Sequence, residues 1–137
     1  MVSKTCLLVK ILAFSAFFFE CAYASNWTKI AKGNNFSEYY GNVSKSGRIA
    51  SIDCMRDYEK KLIKKNQKFL SKKHSLKFDC GRKKFKMVST EYFELNMISG
   101  NLLQKKKESN QWKQIDPSSL NELLFKKHVG NKYKPNN

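Results

Sequence analysis

The stretch "RIASIDCMRDY" (48–58) constrains the fold more than any other part of this chain. Ala50, Ile52 and Cys54 alternate with Ser51 and Asp53, so one side of an extended chain is apolar and the other polar. "SLKFDC" (75–80) repeats the pattern: Leu76, Phe78 and Cys80 face one way, Lys77 and Asp79 the other. A period of two fits a strand with one buried face; on a helix the same residues would scatter around the axis. Such strands need a cover for the apolar side. The C-terminal part supplies one. Asp116, Pro117 and the Ser119–Glu122 pair are helix-start signals, and Leu120, Leu123 and Leu124 follow at helical spacing. The expected fold class is α+β: a small single domain with an antiparallel β-sheet packed against a C-terminal α-helix.

Shorter strands are expected at "WTKIAK" (27–32), "FSEYY" (36–40), "LLQKKKES" (102–109) and "QWKQI" (111–115), with turns at "VSKSG" (43–47) and "ISGN" (98–101). The apolar phase slips by one residue at Gly81, which suggests a β-bulge, with the strand running on through "STEYFELNM" and Phe93, Leu95 and Met97 in phase. Residues 59–74 carry seven lysines among weakly periodic apolar residues and read as a long hairpin connection, with at most one helical turn.

Three segments are expected along the chain. Residues 1–24 read as a signal peptide, with Lys4 and Lys10, the apolar run "ILAFSAFFF" and an A-x-A site at Ala22–Ala24. The domain would span 25–130, and 131–137 would be a flexible tail. Glu20 before Cys21 argues against lipid attachment. No later stretch is apolar enough to span a bilayer, which takes about 20 residues. The expected location is outside the cytoplasm: periplasm, cell surface or secreted. Cys54 and Cys80 would then be the domain's two cysteines. An even pair in an exported chain suggests a Cys54–Cys80 disulfide, two buried free thiols being the alternative.

Charge carries the functional signal. Of the 137-residue chain's net +16, loss of Lys4, Lys10 and Glu20 leaves +15. Residues 60–86 hold twelve Lys and Arg against one acid, Asp79. Arg82, Lys84 and Lys86 would project from one strand face; Lys72, Lys73, Lys105, Lys106 and Lys107 could extend the patch. Basic groups at strand spacing suit a row of sulfates, phosphates or acidic side chains. A solubilising cationic face is the plainer reading. Catalytic residues, metal ligands and cofactors are not expected. His74 and His128 have no zinc-ligand spacing, and Asp53 and Asp57 lie about 13 Å apart along a strand. Nucleic acid is the least expected partner, since no base-stacking motif is recognisable.

Beyond these features, the order of landmarks resembles the surface-adhesin protein E family of Gram-negative bacteria. The landmarks are Trp27, Tyr39-Tyr40 before a glycine-containing turn, Asp57-Tyr58, "SLKFDC" (75–80), "YFELNMISG" (92–100) and "WKQIDPSSLNELL" (112–124). The resemblance implies an antiparallel sheet with a C-terminal helix, and a non-enzymatic adhesion role toward host matrix or serum proteins. Together with the charge it implies an acidic host protein or a sulfated or phosphorylated polyanion as partner. The rival expectation is a periplasmic envelope protein without a host ligand. An unpaired sheet edge would offer a second copy a place to dock. The family often has a cysteine near the end of its last helix, where this chain has His128-Val129.

Overall fold

The structure, a computed structural model, describes residues 26–129; the expected signal segment and tail lie outside them. Strands β1 (Thr28–Lys32), β2 (Phe36–Ser46), β3 (Ile49–Lys64), β4 (Gln67–Asp79), β5 (Lys84–Phe93) and β6 (Leu102–Lys107) form one antiparallel meander in chain order. A two-residue strand, β7 (Lys113–Gln114), adds to β5 beyond the end of β6. Helix α1 (Leu120–His128) is the last element among the described residues. Among the described residues, the sheet with its single short helix bears out the expected architecture, with β structure predominating.

The helix begins where Ser119 caps it. The Ser119 hydroxyl accepts from the Glu122 N–H (3.2 Å), and the Glu122 carboxylate accepts from the Ser118 N–H (2.6 Å). Asp116 and Pro117 lie in the preceding turn. Leu124, Phe125 and the capping Val129 are buried against Ala50, Ile52, Cys54, Leu76, Phe78 and Cys80. Leu123, expected on the packed face, is 47% exposed. The apolar alternation in β3 and β4 therefore meets the helix as its spacing requires. A second cluster, Tyr58, Phe69 and Tyr92 with Phe36, Leu62 and Leu103, is separate from the helix-covered core.

Three expectations need correction. Residues 59–74 are not a loose connection. They are the paired ends of β3 and β4, joined by Lys65-Asn66, both at positive φ (47° and 61°). That is the backbone of a two-residue type I′ hairpin turn, and cross-strand bonding outweighs the repulsion among the lysines. Second, Gly81 is not a bulge inside one strand. Cys80–Lys83 form a turn that reverses the chain between β4 and β5, with Lys83 at φ 52°. The phase slip marks a change of strand. Third, β5 ends at Phe93. Residues 95–98 fold back, held by Ser71, whose hydroxyl donates to the Leu95 carbonyl (2.6 Å) and accepts from the Ile98 N–H (2.9 Å).

Candidate ligand-docking surface

Residues paired across strands put their side chains on the same face. Tyr40, Cys54, His74 and Thr90 stand in one cross-sheet row, and Tyr40 stacks on His128 of the helix at 4.3 Å. This row therefore lies on the helix side. The next row out, Glu38, Arg56, Lys72 and Tyr92, lies on the same side, since it is displaced by two residues along each of the same strands. The alternate rows face outward. They contain Met55 (itself buried), Lys73, Glu91 and Lys105 in one row, Lys77 and Lys86 in another, and Asp53, Ser75, Ser89 and Lys107 in a third.

The expected basic patch is thereby split. Lys73, Lys84, Lys86, Lys105 and Lys107 come together on the outward face. Lys77, which the alternation of "SLKFDC" had already turned outward, joins them opposite Lys86. Lys72 and Lys106 turn to the helix side, where Lys106 Nζ lies 3.5 Å from the Glu108 carboxylate. Arg82 leaves the β5 row altogether, because it sits in the β4–β5 turn.

The outward lysines are arranged, not merely crowded. Glu91 holds two of them, with Lys73 Nζ at 3.1 Å and Lys105 Nζ at 3.2 Å from its two oxygens. Burial alone would raise the Glu91 carboxyl, but the hydrogen bonds from Lys73 and Lys105 keep it below its ordinary value. The carboxylate stays charged and both ammonium groups stay placed. Lys86 Nζ rests 4.7 Å from the Trp112 ring, a cation–π contact that orients it. Sequence reasoning missed this role for Trp112, because only β7 pairing brings that segment beside β5. Lys77 and Lys86 are like charges directly opposite each other, an arrangement that destabilises a sheet unless an anion lies between.

The helix side has different chemistry. Buried Glu38 pairs with Arg56, whose guanidinium lies 4.1 Å from the Phe36 ring centroid. His74 Nδ1 is 3.1 Å from the Thr90 hydroxyl, which donates to Glu108 (2.9 Å). Burial, then the charges of Lys72 and Arg56, push the His74 imidazole down to about 4. It is a neutral, structural histidine. Burial likewise lowers the Lys72 ammonium, with Arg56 adding to the effect.

The expected Cys54–Cys80 disulfide does not form: both thiols are free and buried. Cys54 pairs with His74, whereas Cys80 lies six residues further on, just past the end of β4, where its N–H donates to the Arg48 carbonyl. That separation is roughly 20 Å, far beyond the reach of a disulfide. Burial pushes the Cys54 thiol up to about 12, so it is inert at neutral pH.

A meander covered on one side by a helix and cationic on the other is a small antiparallel-sheet domain with two chemically distinct faces. More particularly, the family model of surface-adhesin protein E matches residues 27–128, and the chain belongs to that family. The family gives the chain an exported, surface-adhesin kind of role. A solved structure, that of Haemophilus influenzae protein E, is similar with a TM-score of 0.51 at 12% identity, covering 76% of this chain and 96% of that chain. At that identity the likeness is one of fold. Among curated proteins none matches. No helix among the described residues is long and apolar enough to cross a membrane.

Proposed function

We propose that the protein docks an acidic host matrix or serum protein, or a sulfated or phosphorylated polyanion, through its outward sheet face. The observation that carries this reading is the set of six lysines on β4–β6: Lys73, Lys77, Lys84, Lys86, Lys105 and Lys107. On those strands Glu91 and the strand-end Asp79 oppose them on that side, and on neighbouring β3 Asp53 stands in the row of Lys107. Neighbouring strands stand about 4.8 Å apart and alternate residues along one strand about 7 Å apart. The lysines thus form a grid that meets a line of anionic groups at several points. An anion near Lys77 and Lys86 relieves their mutual repulsion. Glu91 and Trp112 hold three of the lysines in place beforehand, which lowers the ordering cost of binding.

An adhesin must meet its partner outside the cell. Labelling of intact cells with a membrane-impermeant amine reagent tests this. The expected outcome is modification of Lys86 and Lys107 without permeabilisation. Modification only after the outer membrane is opened would sink the adhesin reading and leave an envelope protein without a host ligand.

A further inference from the structure

The β2–β3 and β4–β5 turns meet at one end of the sheet, tied together by the Cys80 N–H bond to the Arg48 carbonyl (2.8 Å). Between them sits Asp79, whose side chain is 3% exposed. One of its oxygens accepts from the Gly81 N–H (3.0 Å) and the Arg82 N–H (3.1 Å), which fixes the carboxylate in the turn. The other oxygen faces two arginines: Arg48 Nε at 3.6 Å and Arg82 Nε at 3.7 Å. Lys84 stands directly opposite Asp79 in the strand register.

We propose that Arg48 and Arg82 form a two-pronged site for a tetrahedral oxyanion of the sulfate or phosphate monoester class. Three observations support it. Two guanidiniums share one carboxylate, so the cluster keeps a net positive charge before Lys84 is counted. Each arginine approaches Asp79 through Nε, which leaves its terminal nitrogens uncommitted. The two side chains remain 54% and 57% exposed, and neither makes another hydrogen bond or ion pair among the described residues. Asp79 thus acts as an anchor. It gathers two flexible side chains from different turns and lowers the ordering cost of binding.

The geometry also selects the ligand's shape. A guanidinium presents paired N–H groups that match two oxygens of one anion. A carboxylate offers one such edge, whereas a tetrahedral oxyanion offers edges in different planes and takes both arginines at once. Gly81 lies beside the cluster: a Cβ there would stand 3.6 Å from Asp79 Oδ1 and 3.8 Å from Arg48 Cδ, both ordinary contact distances. This site does not depend on an adhesin role, and it shares only Lys84 with the outward lysine face. It lies at the sheet end, reads one group and uses arginine forks where the face uses lysine point charges.

The test is titration of the full chain, at constant ionic strength, with inorganic sulfate, inorganic phosphate and acetate, followed by the Arg side-chain NMR signals. Sulfate or phosphate is expected to shift the Arg48 and Arg82 signals at concentrations where acetate does not. The double variant R48K/R82K keeps both charges and removes both forks, and it is expected to weaken binding by about tenfold or more. K86A/K107A is expected to leave this binding within twofold. A sulfated disaccharide and glycerol phosphate extend the titration; tighter binding of one than of its inorganic ion identifies the source of the group. Equal response to acetate and sulfate, or unchanged affinity in a folded R48K/R82K protein, overturns the proposal.

Discussion

His74 shows how a residue can look functional in the sequence and be structural in the fold. It lies in a lysine-rich stretch, where a solvated imidazole would titrate near its ordinary value. Instead it is packed between Cys54 and Thr90, with Lys72, Arg56 and Glu108 within electrostatic reach. Its folded-state value of about 4 lies below the unfolded value of 6.5. Protonation therefore favours the unfolded chain. The stabilising contribution is complete above about pH 6.5 and is lost as the pH falls toward 4, amounting to about 3 kcal/mol at the low end. Glu38, raised by burial, acts in the opposite sense near its own ordinary value, so the difference between two proteins is the informative quantity. Denaturant melts of wild type and H74Q from pH 7.5 to 4 are expected to give a smaller loss of stability on acidification in the variant. Parallel curves would mean that His74 is solvated.

At the scale of elements, the β3–β4 hairpin carries the clearest lesson. Its arm reaches beyond β2, whose first residue, Phe36, pairs with Tyr58. A register irregularity between Asp57 and Leu62 bends it, and Lys64 Nζ bonds the Tyr92 hydroxyl at 2.5 Å. The two-residue turn at Lys65-Asn66 holds a lysine in a left-handed conformation that asparagine and glycine adopt more easily. K65N/N66G is therefore expected to stabilise the domain by on the order of 1 kcal/mol, read as a melting-temperature rise of about 4–8 °C. A loss of stability would contradict the tight hairpin. The inner halves of β3 and β4 were legible because Ala50, Ile52, Leu76 and Phe78 alternate cleanly. The arm was not, because Leu62, Ile63, Phe69 and Leu70 follow no period of two across a bulged register. The helix start at Ser119–Glu122 was legible from local chemistry. The packing of Phe125 and Val129 rather than Leu123 depends on how the helix sits on the sheet, which its own sequence does not state.

For the whole molecule, distribution of charge matters more than its amount. The sequence displays a basic cluster at residues 81–86, and the fold takes it apart. Arg82 goes to the sheet end with Arg48, Lys84 and Lys86 go to the outward face, and Phe85 packs against the helix-covered core. The cysteines were misread for a related reason. Both fall on the apolar side, as their alternation required, but the antiparallel register sets them far apart along the sheet. Face was legible in the sequence; position along the face was not, since it depends on pairing between distant segments.

The claim that the outward grid, and not bulk charge, makes the docking surface is tested most directly by heparin-affinity elution of two charge-matched variants. K77A/K86A/K107A removes three outward lysines, and K60A/K61A/K65A removes three from the exposed hairpin arm. Both lose the same formal charge. The first is expected to elute at distinctly lower salt than wild type, and the second to elute close to wild type. Equal shifts in the two variants, or a larger one for the hairpin arm, would contradict the assignment of the outward face as the docking surface.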